Sequence, residues 1–525
     1  MKFPRIRVMS VCLLCFSLLA CTSRELLTRD ELVEHNQETL AQLADQQVPS
    51  ARTWTLSEAL QHTLTHNADF RVAALQTAIA TGDHRIANLD LLPGLVARAG
   101  YSRRSNDLAS SSQSVLTGTQ SLSESTSSDR SRDTSSVTLS WDVMDFALAL
   151  FRAREAGDEY RIALEQRRRV QQNLTADLVH AWWSAWAYQS LKPEIDQLRG
   201  QIDEALAQSD IIIRRRLQDP LRVIEYRKAL FYVLKRLDSL TLELEQARLE
   251  LARLMNLPPE MALTLSGGEE LIALADQSRL PDLSLQFWQL AALMNRPEVR
   301  ITLYEGRIGV SQRRRAVWQL MPSLGISYGT NYDSNSFLVN NRWQETGINA
   351  SLELLKLASY PARRRNLAFS RQLAEIQQQA VATAVVSQMA VSEKSYRQNQ
   401  RSWCMSAQLA DLDNQRTSLL EAQSAASSLD NLSLIRARLE NLLLRTEVAL
   451  DFATLQRDRI QVLVSAGLLD MPALSGEQSE KPDLSQWLYR DVTDYVKAEI
   501  QTLSSEFELT LEGSIEQGGA QCQPD

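Results

Sequence analysis

The sequence predicts a mainly α-helical fold that also carries four short β-strands suited to a membrane. Three observations predict this fold class. The 525 residues contain an internal duplication of more than 200 residues. Each copy holds two segments of about ten residues in which apolar and polar side chains alternate. Long stretches between these segments repeat their apolar residues at the helical spacing of about 3.6 positions.

The duplication follows two constant shifts along the chain. Residues 67–102 align with residues 296–331 without a gap at a shift of 229, which pairs Pro93 with Pro322. After the loops that follow, the shift is 211 and pairs Asn256 with Gly467. Identity between the copies is low, so the shared order of features is the main support for a duplicated domain-sized element.

The first twenty residues carry the three parts of an export signal. Basic residues precede an apolar run at 8–19, and the small residue Ala20 follows. The sequence at 18–22 (LLACT) resembles a bacterial lipoprotein cleavage box, in which the cysteine, here Cys21, is lipidated and becomes the first mature residue. An ordinary secretory signal with a chance cysteine is the alternative.

The residues around this signal also indicate a destination and a redox state. Thr22 is not the aspartate that commonly retains lipoproteins at the inner membrane, so we expect the outer membrane. Cys12 and Cys15 leave with the signal, which leaves Cys404 and Cys522. No disulfide framework therefore holds the chain together, and a pairing of these two cysteines stays open.

Composition excludes a helical membrane span after the signal. The chain is 44% hydrophobic and 23% charged with a net charge of −8, which suits a sizeable core. No later apolar run approaches the roughly 20 residues that a membrane helix needs. Such a chain crosses a bilayer only as a closed β-barrel, because lipid cannot satisfy open backbone groups.

Four segments have the alternation of barrel strands, and we predict strands at about 94–103, 136–145, 323–330 and 346–355. Their apolar members are Leu95, Ala97, Ala99 and Tyr101; Val137, Leu139, Trp141 and Val143; Leu324, Ile326 and Tyr328; and Ile348, Ala350, Leu352 and Leu354. Half-buried strands of a soluble sheet explain any one segment, but not readily all four as pairs between long helices. The serine-rich residues 102–136 and their counterpart 331–345 are predicted to be solvated loops.

Long helices are predicted at about 147–214 and 361–425, and returning helices at about 222–256 and 432–466. Pro193 costs about 3 kcal/mol inside a helix, so we expect a kink or break there.

The predicted parts of the chain are a signal peptide at 1–20, a lipid-anchored segment at 21–53, a first repeat at 54–256, a linker at 257–283, a second repeat at 284–469, and a polar C-terminal tail at 470–525 with a possible helix at 484–503.

Several short motifs in this doubled order match a known family. They are 56–60 (LSEAL), Asn67, the two Leu-Pro and Met-Pro strand entrances at 92–93 and 321–322, and the closing segments 254–258 (LMNLP) and 465–467 (SAG). With them, residues 54–469 resemble the bacterial outer membrane efflux proteins, the TolC-like channels, of the lipoprotein type. The individual motifs are weak, and their doubled order after a lipoprotein start is specific.

The resemblance implies long helical hairpins that form a periplasmic α-barrel, with four strands per chain in a 12-stranded trimeric β-barrel. Four strands alone leave two open edges, and the smallest single-chain membrane barrels have eight strands. The implied function is the outer-membrane channel of a tripartite efflux system, a passive conduit from periplasm to exterior. The implied partners are two further copies, a periplasmic adaptor, an inner-membrane transporter and outer-membrane lipid.

Two alternative functions stay open. The exit duct of a type I protein secretion or polysaccharide export system is of the same class, and nothing in the sequence separates it from efflux. A lipid-anchored periplasmic coiled-coil scaffold or adaptor is of another class. An adaptor should carry a compact β-domain at the base of its helices, whereas this chain shows strands only in pairs between helices.

The resemblance also implies a constriction near the starts of the returning helices, often formed by aspartates. Counting back 34 residues from Asn256 and Gly467 leads to positions that are not acidic here. The candidate gate residues are Arg222, Ser433, Arg436, Asp430 and Arg216. A ring of arginines favours anions or an acidic partner, and the alternative is that these arginines only solvate an exposed hairpin.

No constellation of enzyme residues occurs in the sequence, so we expect neither catalysis nor a cofactor. His62 and His66 share a helix face at a spacing that suits a metal, but no third ligand is evident. P-loop and Rossmann glycine motifs are lacking. The acidic net charge and the export signal argue against nucleic-acid binding.

Overall fold

A computed structural model describes residues 28–44, 52–121, 123–215, 220–259, 261–426, 431–470 and 483–507. Its helices are α1 Arg29–Ala44, α2 Leu56–His66, α3 Ala68–Leu89, α4 Val143–Arg215, α5 Pro220–Leu254, α6 Gly268–Gln277, α7 Leu285–Asn295, α8 Pro297–Trp318, α9 Leu354–Ala358, α10 Tyr360–Ala426, α11 Asn431–Ala466, α12 Leu484–Gln486 and α13 Val492–Phe507, with a π-helical turn at Trp487–Asp491. Its strands are β1 Thr53–Trp54, β2 Gly94–Arg103, β3 Ala109–Ser110, β4 Ser125–Thr126, β5 Ser131–Asp142, β6 Thr264–Leu265, β7 Ser323–Asp333 and β8 Arg342–Ser351. Within these ranges, no helix combines the length and the apolar character that crossing a bilayer requires.

The two sequence shifts also relate the bounds of the helices in the first copy to those in the second copy. Adding 229 to the bounds of α2 and α3 gives the bounds of α7 and α8. Adding 211 to the bounds of α4 gives 354–426, which α9 and α10 cover with one interruption at Ser359. The same shift carries the start of α5 onto the start of α11. The duplication is therefore a property of the structure as well as of the sequence.

Both returning helices end in the same backbone motif. Asn256 and Gly467 follow α5 and α11 with positive φ angles of 55° and 71°. In each case the next residue donates its amide hydrogen to a carbonyl five residues earlier, at 2.8 Å for Leu257 and 2.9 Å for Leu468. This is the Schellman arrangement, in which a residue in the left-handed region closes a helix.

A kink or break was predicted at Pro193, and the break does not occur, because the long helix α4 continues through the proline without interruption. The helix packs against α3, α5, α8 and α11 along its length. Leu191, Ile195 and Leu198, on either side of the proline, are buried. Burying such side chains contributes about 1.5–3 kcal/mol each, which offsets the roughly 3 kcal/mol that the proline costs.

One antiparallel sheet joins the two copies, in the strand order β2–β5–β7–β8. The contact between the copies is the β5–β7 pair, in which Ser140 lies opposite Ser327. In the described part of the chain, β2 and β8 each have a strand neighbour on one side only. The sheet therefore has two open edges.

Two predicted strands need correction. The strand predicted at 136–145 spans Ser131–Asp142, because the Asp142 carboxylate accepts hydrogen bonds from the amides of Met144 and Asp145, at 2.8 and 3.1 Å, and caps α4. The strand predicted at 346–355 spans Arg342–Ser351, because α9 begins at Leu354. The apolar residues predicted at 352 and 354 therefore lie beyond the strand.

The predicted serine-rich loop and the predicted linker both contain secondary structure. The serine-rich loop holds the hairpin β3–β4 and a bridge between Gln113 and Gln120. The linker at 257–283 holds α6 and β6, and β6 pairs in parallel with β1. We predicted neither α6 nor these strands, and the strands, with two residues each, are too short to show a period.

The main core lies where α2, α4, α7, α10, α11 and α12 meet. Its largest buried side chains include Trp54, Trp182, Trp183 and Tyr489. The C-terminal helix predicted at 484–503 is present as α12, the π-helical turn and α13. It covers one side of this core through Leu488 and Val492.

Candidate functional site

The register of the sheet brings the predicted apolar sets onto one face. Residues that lie opposite each other in adjacent strands point to the same side of a sheet, as do residues two positions apart in one strand. Two neighbouring rows of this face, from the β2 side to the β8 side, are Leu95–Leu139–Tyr328–Thr346 and Trp141–Ile326–Ile348. We call this surface the apolar face.

The apolar face is exposed in the single chain. Leu139 and Ile326 each keep 42% of their accessible surface, and Ile348 keeps 75%. Together with their neighbours in the two rows, these residues form a contiguous apolar surface across four strands. A contiguous apolar surface marks a contact with a membrane or with another protein.

The opposite face, called here the polar face, carries small and hydrophilic residues. Two of its neighbouring rows are Gly94–Ser140–Ser327–Gly347 and Asp142–Gly325–Asn349. Asp142 also accepts a hydrogen bond from the hydroxyl of Ser323 at the start of β7. A sheet with one apolar and one polar face is suited to separating lipid from water.

The structure describes only some of the five predicted gate residues. Arg216 and Asp430 lie outside the described residues, as does Cys21, and only the backbone of Arg222 is described, in the first turn of α5. Ser433 is exposed in the first turn of α11. Arg436 follows Ser433 within α11, so both side chains belong to the tip of the second hairpin.

Arg436 belongs to an ion-pair network that joins the arms of the second hairpin. Its Nε lies 2.8 Å from one oxygen of Glu440, and Arg416 on α10 lies 2.7 Å from the other. Arg416 also contacts Asp413 at 2.7 Å. Burial raises the pKa of Glu440, but the hydrogen bonds from Arg416 and Arg436 outweigh it, so the pKa lies below its ordinary value.

Sequence reasoning did not identify this network. The four-residue spacing of Arg436 and Glu440 was a visible signal for their pairing within one helix. The contact from Arg416 to Glu440 was not visible, since it depends on which sides of α10 and α11 face each other. At the first tip, Arg227 and Asp210 similarly join α5 to α4.

The two histidines considered as metal ligands form a stacked pair. The rings of His62 and His66 lie 4.1 Å apart, and Trp54 contacts His62 edge-on. Burial, followed by the charges of His66 and Arg52, lowers the pKa of His62 to about 4. In the described ranges, no three side chains of the metal-binding types lie together.

A buried arginine holds the C-terminal helices. The guanidinium of Arg459 donates to the carbonyls of Ser278 and Leu488, at 2.6 and 3.2 Å, and lies over the ring of Tyr489. The indole of Trp183 donates to the Tyr489 hydroxyl at 2.8 Å. Sequence reasoning missed this cluster, because its members are separated by up to 306 positions.

Comparison with solved structures relates this arrangement to outer-membrane channels. Neither a family model nor a curated protein matches the chain. The outer-membrane channel OprN superposes with a TM-score of 0.57 and 18% identity, over 82% of this chain and 91% of that chain. The open state of the Neisseria gonorrhoeae channel MtrE gives a TM-score of 0.58 and 16% identity, over 78% and 88%. The Campylobacter jejuni channel CmeC gives 0.59 and 13%, over 86% and 90%. The chain therefore has the fold of these outer-membrane channels.

Proposed function

We propose that this protein is the outer-membrane channel of a tripartite efflux system, a passive conduit from the periplasm to the exterior. The sheet carries this proposal, because its apolar face is exposed, its polar face is hydrophilic, and its described strands leave two edges open. The shared fold with OprN, MtrE and CmeC supports it.

In this proposal, three copies together form one closed barrel. The β8 edge of one copy pairs with the β2 edge of the next, and three such contacts give a 12-stranded barrel without open edges. The apolar face then meets lipid and the polar face lines the water-filled interior. The hairpins α4–α5 and α10–α11 continue the barrel into the periplasm as an α-barrel.

The work of such a channel is conformational, and the proposal assigns no covalent step to any residue. The polar face offers hydroxyl and amide groups to water along the path of the substrate. The hairpin tips dock to a periplasmic adaptor, and an inner-membrane transporter supplies the energy. Arg222, Ser433, Arg436, Asp430 and Arg216 remain the candidate gate residues at these tips.

Accumulation of ethidium in cells tests the efflux function. Deletion of the gene should raise the ethidium that cells retain, and the wild-type gene should restore export. Normal ethidium export combined with loss of a secreted protein or polysaccharide would instead favour an exit duct. A periplasmic scaffold predicts that an epitope placed at Leu116 in the serine-rich loop stays hidden on intact cells, whereas the channel exposes it.

Current through planar bilayers tests the gate. Ser433→Asp places three carboxylates around the axis of a trimer, so selectivity should move toward cations. Ser433→Asn is the matched neutral control and should leave selectivity near that of the wild type. An unchanged reversal potential in Ser433→Asp would remove this position from the constriction.

Lipidation of Cys21 completes the proposed attachment to the outer membrane. Cells grown with labelled palmitate should incorporate the label into the wild-type protein and not into the Cys21→Ser variant. Equal labelling of both proteins would overturn the lipid anchor. The channel function is tested separately by the other experiments.

A further inference from the structure

The two hairpins of the four-stranded sheet share one register. Gly94 lies opposite Ser140 in the β2–β5 hairpin. The shifts of 229 and 211 carry these two residues to Ser323 and Ser351, which lie opposite each other in the β7–β8 hairpin. All ten residue pairs of the first hairpin map in this way onto the ten pairs of the second. The duplication is therefore exact at the level of strand pairing.

The junction between the two repeats can form once more, between two chains. Within one chain, β5 of the first repeat pairs with β7 of the second. The counterpart of β5 is β8 and the counterpart of β7 is β2, and these are the two open edges of the described sheet. Under the proposed function, on which this step rests, β8 of one copy meets β2 of the next. We propose that this contact, called here the seam, repeats the register of the β5–β7 junction.

The shifts give each residue of the seam a definite partner. Ser140 lies opposite Ser327 in the β5–β7 junction. The same shifts carry this pair to Ser351 and to Arg98 of the next copy. Both belong to the polar face, since each lies an even number of positions from members of that face in its own strand. A slip of one residue would instead turn the apolar residues of one edge toward the polar face of the other.

Other pairs along the seam match in character. Ile348 lies opposite Tyr101 of the next copy on the apolar face, and in the single chain these residues are 75% and 65% exposed. Glu345 lies opposite Arg104 of the next copy, and opposite charges in this position stabilise a strand pair. Arg104 continues the line of β2, because its amide donates to the carbonyl of Arg130 at 2.8 Å. The proposed register therefore covers exposed apolar surface and pairs charges.

The helices next to the sheet extend the seam. α8 packs against both α4 and α10. α3 packs against α4 and, in the described part of the chain, has no comparable contact with α10. The shifts relate α4 to α10 and α3 to α8. The contact of α4 with α8 inside one chain therefore has its counterpart between α10 of one copy and α3 of the next.

The helical part of the seam is apolar where the contact inside the chain is ionic. Arg307 of α8 lies 2.9 Å from the carboxylate of Asp158 in α4. The shifts carry these residues to Ala78 of α3 and Phe369 of α10, and both are exposed in the single chain. The exposed large apolar residues near these two positions are Leu75, Ile79, Leu373 and Ile376. Contact between α10 and α3 of the next copy covers this set.

Cysteine cross-linking in isolated outer membranes tests the register. Arg98→Cys combined with Ser351→Cys should join most chains into trimers when copper phenanthroline is added, and reductant should release single chains. The link forms only between copies, because β5 and β7 separate β2 from β8 in one chain. Three strand spacings hold those edges about 14 Å apart, whereas a disulfide spans at most about 7 Å between Cα atoms.

Arg98→Cys combined with Asn349→Cys is the matched control. Asn349 lies on the same face of β8, two residues from the proposed partner, so this pair should link poorly. The two single variants control for reaction with native cysteines, of which Cys404 is itself disulfide-bonded. Linking of the control at least as strong as that of the test pair would overturn the register. No link in either pair, in a particle of three chains, would overturn it and leave the channel function standing. A particle of one chain would overturn both.

An ion pair built across the seam tests its helical part. Phe369→Asp buries an unpaired carboxylate in each seam, so the lifetime of the trimer in detergent should fall at least about tenfold. Adding Ala78→Arg recreates between copies the pair that Arg307 and Asp158 form inside the chain, and most of the lifetime should return. Ala78→Glu in the same background is the matched control and should not restore it.

The exposure of Phe369 makes this second test independent of folding. Its side chain is 66% exposed in the single chain, so Phe369→Asp should leave the helical circular dichroism of the chain unchanged. An unchanged trimer lifetime in Phe369→Asp would overturn the contact between α10 and α3. Equal lifetimes with Ala78→Arg and Ala78→Glu would overturn it as well.

Discussion

At the scale of residues, buried and half-buried polar side chains bind the ends of helices, and their partners are remote in sequence. The amide of Asn67 donates to the carbonyl of Leu254 at 2.9 Å, across 187 positions. Arg168 donates to the carbonyl of Gly467 at 2.9 Å. Leu254 is the last residue of its helix, whose carbonyl has no partner within the helix, and Gly467 directly follows the end of α11. The sequence marked Asn67 as a family position, but the partner carbonyl could not be inferred from it.

His62 should make stability depend on pH. The pKa of His62 is about 4 in the folded protein, below the ordinary 6.5 of the unfolded chain. Between these values the unfolded state binds a proton that the folded state does not, so the free energy of unfolding decreases as pH falls from about 6.5 to 4. His62→Gln removes this contribution. We expect the thermal unfolding midpoint of the wild type to drop more between pH 7.5 and 5 than that of the variant, and equal drops would contradict the role of His62.

At the scale of elements, periodic sequence predicted the helices better than the strand ends. The apolar stripe of α4 and the two constant shifts come from many residues, so one error has little effect. The start of β5 was missed because residues 131–136 are polar and show no alternation. Their place in the sheet comes from pairing with β2, where Ser136 lies opposite Arg98. The break considered at Pro193 does not occur, and the packing against neighbouring helices that supports the helix there is not visible in a local pattern.

The end of α11 should depend on Gly467. This residue has a φ of 71°, and a Cβ placed on it would lie 2.5 Å from the backbone carbon of Asn295. Gly467→Ala should therefore destabilise the protein by more than the roughly 1–2 kcal/mol that the left-handed backbone alone costs a residue with a side chain. Thermal unfolding measures the loss.

The matched control for that variant lies at the same place in the other copy. Asn256 has a φ of 55°, so Asn256→Gly introduces the residue that this backbone prefers. We expect a neutral or slightly stabilising effect. A Gly467→Ala protein as stable as the wild type would show that the close contact with Asn295 does not constrain the helix end.

Charge on the two faces of the sheet should have opposite consequences for membrane assembly. Leu139→Lys and Ile326→Lys place an amine on the apolar face, at a cost of about 2–4 kcal/mol if that face lies mid-bilayer. Ser140→Lys and Ser327→Lys place it on the polar face at neighbouring positions. The fraction of protein recovered in the outer membrane should fall for the first pair and stay near wild type for the second. Equal recovery would refute the assignment of lipid to the apolar face.

At the scale of the whole molecule, the open sheet connects sequence, fold and proposed function. The count of four strands and their alternation were readable from the sequence, and the common apolar face follows from the register. The arrangement of the tips was not readable, because the contact from Arg416 to Glu440 depends on how two long helices face each other. A single chain leaves the β2 and β8 edges of its described sheet open, so closure requires other copies.

The mass of the detergent-extracted protein tests this closure most directly. Light scattering on a size-exclusion column, corrected for bound detergent, gives the number of chains in each particle. Closure by three copies predicts a single species with three times the mass of the mature chain, stable on dilution. A folded particle, extracted from the membrane, with the mass of one chain would contradict closure by three copies.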